Sequence, residues 1–248
     1  MKIALQISGL LREHEASFES LNKVFNVDNV DLDLYIHTWT TDEESIDDKW
    51  GKNGSLVETT TYKNFSHEVK YHIPEVILEI NKILEITDYQ VESQVNNKEL
   101  QKFKNNLGSY PDHWSPHNVS CQLYSMYKCN NLRKNSSKKY DLVIKARTEL
   151  IFENSISFSQ LSDILANSSE TIFVPEGANY NGGINDQLAI GSPDALDWYC
   201  AEGLHYEDGV NPHVMIKKHI LKKYKLNRFR LPYTLRGNLF GCREGLGN

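Results

Sequence analysis

Apolar positions along the chain follow the periods of strands and of helices, and the two kinds of segment alternate. Residues 2–8 and 31–39 read as strands, because their apolar side chains alternate with polar ones or run together over a short length. Val119, Leu123 and Met126 instead recur at the spacing of one helical face. This alternation predicts an α/β, Rossmann-like fold with a mostly parallel central sheet flanked by helices.

The same reasoning assigns the remaining elements. Helices are predicted at residues 13–24, 74–86, 97–106, 117–134 and 159–166, from Ser192-Pro193 onward, and at 212–224. Further strands are predicted at residues 57–62, 89–95, 140–150, 171–174 and 228–231. At this length and composition, we predict a single domain over residues 1–248.

The segment from Tyr140 to Leu150 organises the candidate site. Its apolar first half is typical of a strand buried on both faces, and its second half places Lys145, Arg147 and Glu149 at alternate positions. Side chains two residues apart in an extended segment project to the same side. Two cations and a carboxylate would then meet at the carboxyl end of the strand, where open α/β sheets bind ligands. The alternative is an ordinary buried strand that runs into a solvated charged turn.

Other predicted strands also end in residues suited to a ligand. Gly9 follows the first strand and lets the backbone come close to a ligand, while Arg12 offers a planar cation that suits phosphate. The alternative is a strand–helix turn with a surface arginine. G-x-G-x-x-G and P-loop spacing are both missing, so neither a dinucleotide site nor a Walker-type site is supported. His37, near the end of the second strand, contacts a ligand or is satisfied inside the fold, the usual case.

Asp186 stands between two amides after a glycine pair. A carboxylate in Asn185-Asp186-Gln187, directly before an apolar run, is costly to bury without partners, so the pattern predicts a polar site. The alternative is a carboxylate that caps or braces its loop. His213 lies on the apolar stripe at a predicted helix start, as a core histidine or as a ligand of metal or phosphate. Trp114 belongs to an aromatic loop that forms part of an acceptor pocket or packs over the core.

The composition limits the partners. A formal net charge of -6 argues against a surface built mainly to hold nucleic acid, which needs a cationic stripe. The lysine clusters at 217–218 and 222–225 read as the solvated face of a helix. The N-terminal segment is interrupted by Gln6 and Ser8 and is too short and polar for a signal peptide or a membrane span. We therefore expect a cytoplasmic protein without a transmembrane segment.

Four segments carry the residues and the order of a known family's motifs. They are Ser8-Gly9-Leu10-Leu11-Arg12, Ile36-His37-Thr38-Trp39, Tyr140-Asp141-Leu142-Val143-Ile144-Lys145-Ala146-Arg147 and Asn185-Asp186-Gln187-Leu188-Ala189-Ile190-Gly191. Together they resemble a group of small viral and microbial glycosyltransferases with the GT-A type of fold. The resemblance covers most of the chain, the helix start at Asn211-Pro212-His213 is also similar, and the fourth segment is the most specific.

The resemblance implies transfer of a sugar from a nucleotide-sugar, with UDP favoured, to a glycan or another hydroxyl acceptor. Residues up to about 150 would form the nucleotide-binding half, and residues from about 151 the acceptor-side half. Donor contacts would come from Ser8, Gly9, Leu10, Arg12, His37, Lys145, Arg147 and Arg236. Contacts with the sugar or the acceptor would come from Asn185, Gln187 and Trp114. The family usually has Arg-x-Arg-x-Asp where this chain has Lys145, Arg147 and Glu149.

Glycosyl transfer itself demands groups of these kinds. Negative charge grows on the departing diphosphate and has to be neutralised. Either Mn²⁺ or Mg²⁺ does so, held by Glu149 with His213, or the basic residues do so directly. A histidine ligand would favour manganese. Asp186 is the predicted general base for the acceptor hydroxyl, and in a retaining enzyme it would contact the donor sugar instead.

Two other functional classes stay open. Glutamate at position 149, in place of the usual aspartate, suggests a catalytically inactive carbohydrate-binding or scaffold protein of the same fold. A nucleotidyltransferase that makes the activated sugar uses a related sheet, but it needs a glycine-rich basic loop that residues 8–12 match poorly. The sequence identifies neither the donor sugar, the acceptor, the anomeric outcome nor the oligomeric state.

Overall fold

The computed structural model describes residues 1–11, 14–25, 28–40, 73–94, 97–106, 116–154, 156–177, 179, 182–201, 212–230 and 233–235. Within them the strands are β1 (Lys2–Ser8), β2 (Asp31–Trp39), β3 (Ile86–Glu92), β4 (Leu142–Arg147), β5 (Leu150–Phe152), β6 (Thr171–Pro175), β7 (Leu188–Gly191), β8 (Lys225–Phe229) and β9 (Tyr233–Leu235). The helices are α1 (His14–Phe25), α2 (Ile73–Ile83), α3 (Lys98–Asn106), α4 (Pro116–Asn135), α5 (Phe158–Asn167), α6 (Pro193–Tyr199) and α7 (Pro212–Leu221).

Seven of these strands form one sheet in the order β3-β2-β1-β4-β7-β6-β8. β1 pairs in parallel with β2 and β4, and β2 pairs in parallel with β3. β7 runs antiparallel to both β4 and β6, and β8 is parallel to β6. β5 and β9 form a separate antiparallel pair. The predicted fold class is therefore confirmed: a mixed α/β fold with a mostly parallel sheet flanked by helices, consistent with a GT-A-type domain.

The two faces of the sheet carry different side chains, as the alternation along β1 shows. Ile3, Leu5 and Ile7 belong to a hydrophobic cluster that also contains the inward residues of α1, α2 and α5. Ala4 belongs to a second cluster on the opposite face, built with α3, α4, α6 and α7. Gln6 continues this second series and is also buried. The face that α4 covers thus contains polar positions within its core.

Most predicted elements are confirmed. β1 and β2 have the predicted bounds, and the other predicted helices and strands among the described residues, except the run at 140–150, agree within three residues at each end. The reversed direction of β7 and the short strand β9 were not predicted. The predicted strand at 57–62 lies outside the described residues. No helix in the described part of the chain combines the length and the apolar character needed to cross a membrane.

The prediction of one extended segment from 140 to 150 is wrong. β4 ends at Arg147, a turn contains Thr148 and Glu149, and β5 begins at Leu150 in the second sheet. Two contacts fix this turn: the Thr148 hydroxyl donates to the carbonyl of Leu10, and Ser17 Oγ donates to the carbonyl of Leu150 at 2.8 Å. Glu149 therefore reaches its position from a turn and not by strand alternation.

Candidate active site

A cleft of about 240 Å³ opens at the carboxyl ends of β1, β2 and β4. It is lined by Ser8, Gly9, Leu10, Trp39, Gln94, Cys121, Gln122, Lys145, Arg147 and Glu149. β1 lies between β2 and β4, so the order of the strands along the chain reverses between β1 and β4. In open α/β sheets, ligands bind in the crevice at this switch point. The sheet therefore places the cleft where its topology favours a ligand.

The loop after β1 forms one wall of the cleft. Gly9 has a φ of +125°, a backbone conformation that residues with a side chain rarely adopt. Its N–H donates to the carbonyl of His37 at 3.1 Å, which holds the loop against the end of β2. The hydroxyl of Thr148 ties the neighbouring Leu10 to the turn after β4. The glycine predicted from its place after β1 is thus required by the backbone, and two adjacent strand ends are joined around the cleft.

Lys145 provides a buried cation at the cleft. Its side chain is among the largest fully buried ones, and Nζ donates to the carbonyl of Asp186 at 2.5 Å. Burial lowers the pKa of Lys145, the nearby charge of Asp186 acts to raise it, and the charge of Arg147 acts to lower it. An anion bound in the cleft would favour the charged form of this lysine.

Arg147 and Glu149 contact each other at the cleft. Arg147 Nε donates to Glu149 Oε1 at 3.1 Å, and Nη2 contacts the same oxygen. The hydroxyl of Thr148 lies 2.8 Å from Glu149 Oε2. The side chain of Glu149 is 12% exposed, whereas that of Arg147 is 36% exposed. The carboxylate predicted to bind a metal is therefore already engaged at both oxygens.

Asp186 lies behind the lining of the cleft. Its side chain is almost fully buried, and Gln122 Nε2 on α4 donates to Oδ2 at 2.7 Å. Burial opposes the charge, but the contact with His213 and the nearby charges of Lys145 and Arg147 lower the pKa of Asp186 well below its ordinary value. The carboxylate is thus held in its ionised form, with Gln122 between it and the cleft.

The predicted amides Asn185 and Gln187 brace the loop around Asp186. Both are buried, and Asn185 Oδ1 accepts the backbone N–H of Gln187 at 3.1 Å. The carbonyl of Gln187 accepts the N–H of Arg147 at 3.0 Å, which continues the pairing towards β4. The side-chain amide seen to donate to Asp186 is that of Gln122, rather than that of either sequence neighbour. A contact of Asn185 or Gln187 with a sugar or an acceptor stays a prediction.

The start of α7 packs directly against this loop. The N–H of Ile184 donates to the carbonyl of His213 at 3.2 Å, and a Cβ on Gly183 would lie 2.5 Å from the carbonyl carbon of His213. Glycine at 183 is therefore needed for the close approach. As a result, His213 Nδ1 lies 3.3 Å from Asp186 Oδ1. His213 and Glu149 do not form part of a metal-binding cluster: no group of three or more His, Cys, Asp or Glu suited to a metal occurs among the described residues.

His37 lies in the core next to the cleft, as in the alternative weighed for it. Its side chain is fully buried, Nδ1 lies 2.8 Å from Ser125 Oγ, and its ring meets Trp39 edge to face. Burial lowers the pKa of His37, while Glu92 acts to raise it. Burial also opposes the charge of Glu92, but His37 and hydrogen bonds from Tyr124 and another neighbour lower the pKa of Glu92 to about 2. A contact between His37 and a donor stays a prediction.

The structure brings together the residues predicted at the ends of β1 and β4. Three predicted site residues, Arg12, Trp114 and Arg236, lie outside the described residues. Sequence reasoning missed Gln122 and Gln94. The polar residues of α4 lie on several sides of the helix, so no pattern singles out Gln122.

Comparison with known proteins gives little further guidance. No family model and no curated protein matches the chain. Among solved structures, the chain is similar to mouse xyloside xylosyltransferase 1 in its apo form, with a TM-score of 0.43 and 8% sequence identity. The match covers 92% of this chain and 85% of the mouse chain. At this identity and TM-score the likeness decides neither fold nor function, which rest on the geometry described above.

Proposed function

We propose that this chain is a glycosyltransferase that moves a sugar from a nucleotide-sugar to a hydroxyl acceptor. The observation that carries the proposal is a cleft at the switch point of the sheet, with Gly9 on one side and Lys145 and Arg147 on the other. A closely approaching backbone beside two cations suits a diphosphate, because charged donors form the strongest hydrogen bonds to phosphate oxygens. A nucleoside diphosphate is the leaving group of a nucleotide-sugar.

Lys145 and Arg147 would stabilise the charge that develops on this leaving group. Lys145 is 2% exposed, and a buried cation interacts with an anion more strongly than one in water does. Arg147 is more exposed and can offer its planar guanidinium to two phosphate oxygens. In the bound state, Arg147 would exchange the carboxylate of Glu149 for phosphate.

A divalent ion, Mn²⁺ or Mg²⁺, fits the described residues poorly. Glu149 is the acidic residue among the described lining of the cleft, and Arg147 and Thr148 already contact both of its oxygens. His213, the second predicted ligand, contacts Asp186 instead. Neutralisation of the leaving diphosphate is therefore assigned to Lys145 and Arg147.

Asp186 is the proposed general base for the acceptor. It is ionised, and the hydrogen bond from Gln122 to Oδ2 separates it from the cleft. A rotation of Gln122 away from Oδ2 would open the carboxylate to an acceptor hydroxyl within hydrogen-bonding reach. If the enzyme retains the anomeric configuration, Asp186 would contact the donor sugar instead.

A catalytically inactive carbohydrate-binding or scaffold protein of the same fold is the second candidate. Two observations favour it: Asp186 is buried, and Glu149 is held by Arg147 and Thr148. A carboxylate with a strongly lowered pKa is also a weak base near neutral pH. Such a protein would bind glycan without using a nucleotide.

Thermal shift and turnover together separate the two candidates. The full chain is melted with UDP, other nucleoside diphosphates, nucleotide-sugars and glycans, with and without Mn²⁺, and diphosphate release is then measured with acceptors present. A transferase gains melting temperature from a nucleoside diphosphate and releases it from one nucleotide-sugar. A binding protein gains melting temperature from glycan alone and releases none.

A pair of arginine variants ties the result to the cleft. Arg147→Gln should abolish the stabilisation by nucleoside diphosphate, because it removes the more exposed of the two cations at the cleft. Arg228→Gln, at an exposed arginine on β8, should leave it intact. Equal losses in both variants, or no response to any nucleotide, would refute the proposal.

A further inference from the structure

A strongly basic surface lies away from the cleft. Residues 217–230 contain seven Lys or Arg and no Asp or Glu, although the whole chain has a formal net charge of -6. The segment comprises the end of α7, the turn after it and the edge strand β8. We call the group Lys218, Lys222, Lys223 and Arg228 the basic ridge; all four are exposed.

The inward contacts of α7 decide which of its residues face outward. Ile216 and Ile220 are fully buried in the cluster beneath α7. His219 stacks on Trp198 of α6, with ring centroids 4.5 Å apart and planes inclined by 9°. The two residues also exchange hydrogen bonds, since Trp198 Nε1 donates to the carbonyl of His219 at 3.0 Å and His219 Nε2 lies 2.7 Å from the carbonyl of Trp198. These contacts fix the helix, so its opposite side is presented rigidly.

The outward side of α7 combines cations with an aliphatic side chain. Lys218, Leu221 and Lys222 follow the spacing of one helical face, and Leu221 is 53% exposed. On β8, Leu226 packs against the same cluster as α7, so Arg228, two residues further on, lies on that side of the sheet. The ridge and Leu221 therefore share one surface.

Protection of an edge strand explains only part of this surface. β8 is the last strand of the sheet, and Lys or Arg at an edge prevents pairing with another chain. Lys225 also has a structural partner, since its Nζ donates to Glu170 at 2.8 Å. Neither explanation applies to Lys218 and Lys222, which are not on the strand. Their presence beside an exposed leucine calls for a partner.

We propose that the basic ridge docks on an anionic phospholipid bilayer. Lys or Arg near such a surface contribute favourably one by one, and the group of four is large enough for measurable attraction. An aliphatic side chain among cations can insert at the acyl boundary, whereas a nucleic-acid backbone offers it no contact. Charge and the position of Leu221 thus favour a bilayer over RNA. The proposal does not depend on glycosyl transfer.

Vesicle co-sedimentation of the full chain tests this docking. We expect binding to phosphatidylcholine vesicles that contain about one third phosphatidylserine, and none to phosphatidylcholine alone. Binding should weaken steeply between roughly 0.1 M and 1 M salt, because the screening length falls from about 10 Å to about 3 Å. Replacing three ridge lysines should lower the partition coefficient roughly 10- to 100-fold. The three substitutions are Lys218→Gln, Lys222→Gln and Lys223→Gln.

A matched variant separates the ridge from the overall charge. It removes the same number of exposed lysines from α2 and α3, with the substitutions Lys82→Gln, Lys98→Gln and Lys102→Gln. This control should bind as the native chain does, and circular dichroism melts should show that both triple variants are folded. Leu221→Ser should lower binding less than the triple ridge variant. Absence of binding to anionic vesicles, equal losses in the two triple variants, or displacement from vesicles by a lower concentration of random RNA would overturn the proposal.

Discussion

The two faces of β1 and β4 come from the same strands but differ in what they bury. On the face towards α1, Leu5 of β1 and Ile144 of β4 lie in a wholly apolar cluster. On the face towards α4, Gln6 and Lys145 are buried, and each has a polar partner: Gln6 Nε2 donates to Asn130 Oδ1 at 2.9 Å, and Lys145 donates to a carbonyl. Burial stabilises the first face, whereas burial on the second costs free energy unless every polar group is satisfied.

The polar face also fixes the helix that reaches the cleft. Asn130 Nδ2 donates to Asp197 Oδ1 at 2.8 Å, and Arg133 contacts the same carboxylate, so α4 is tied to α6. Gln122 lies on α4 and contacts Asp186. The comparison teaches that the costly polar groups are concentrated under the cleft, as expected where function and stability compete.

The largest effect on stability should come from the apolar face. Leu5→Ala removes a fully buried side chain and should lower the free energy of unfolding by about 3 kcal/mol, through lost burial and a residual cavity. Urea unfolding measures the loss. Leu78→Ala, the same substitution at a side chain 62% exposed, should cost less than about 0.5 kcal/mol. If nucleotide binding by the folded fraction of Leu5→Ala is also lost, the two faces are not separable.

Acid should weaken the polar face next. The pKa of Glu92 is about 2 in the fold against an ordinary 4.5, so its stabilising effect is complete above pH 4.5 and is lost as the pH falls towards 2. The pKa of buried His37 is lowered from 6.5, so stability already declines as the pH falls below that value. We expect Glu92 to account for roughly 2 kcal/mol of the acid-induced loss.

Urea midpoints between neutral pH and pH 3 measure this dependence. Glu92→Gln should flatten the decline below pH 4.5, because amide at this position cannot titrate. Glu19→Gln, on the exposed side of α1, is the control and should keep the native slope. An unchanged slope in Glu92→Gln would show that the polar face is not what makes the fold sensitive to acid.

The fold could largely be predicted because local patterns determine its elements. β1 and β2 have strong apolar runs, and α6 begins at a Ser192 cap followed by Pro193, as the sequence indicates. The direction of β7 could not be predicted, because a run of four apolar residues fits either direction and pairing with β4 decides between them. The break after Arg147 depends on the contact between Thr148 and Leu10, which are distant in sequence.

The site was predictable only in part, and for a related reason. Lys145 and Gly9 follow from the rule that ligands lie at the carboxyl ends of strands. The contact of Gln122 with Asp186 joins residues on α4 and before β7, and no local pattern encodes it. The burial of His37 depends on packing by Trp39 and Ser125, so its alternative reading as a core histidine could be weighed but not decided from sequence.

A smaller effect on stability should accompany Gln122→Ala. Loss of the hydrogen bond to Asp186 should cost about 1–2 kcal/mol, since the carboxylate stays buried. Gln122→Glu is the sharper change for chemistry, because a second carboxylate beside Asp186 raises the pKa of the pair. The acidic limb of the transfer rate should then move to higher pH while the KM for the donor changes little. An unmoved limb would remove Asp186 from the reaction.

The smallest effect on stability should come from Lys145→Met, although the substitution lies in the core. Methionine fills similar space, and removal of a buried charge offsets the lost hydrogen bond to Asp186, so unfolding should change by less than about 1 kcal/mol. Affinity for a nucleoside diphosphate should nevertheless fall roughly 10- to 100-fold, because a charged donor to phosphate is lost. Lys138→Met, which removes a cation 3.0 Å from Asp33 near the amino ends of the strands, should keep the native affinity. A loss of several kcal/mol with unchanged affinity would make Lys145 a structural residue, and the polar face would then need no ligand to explain it.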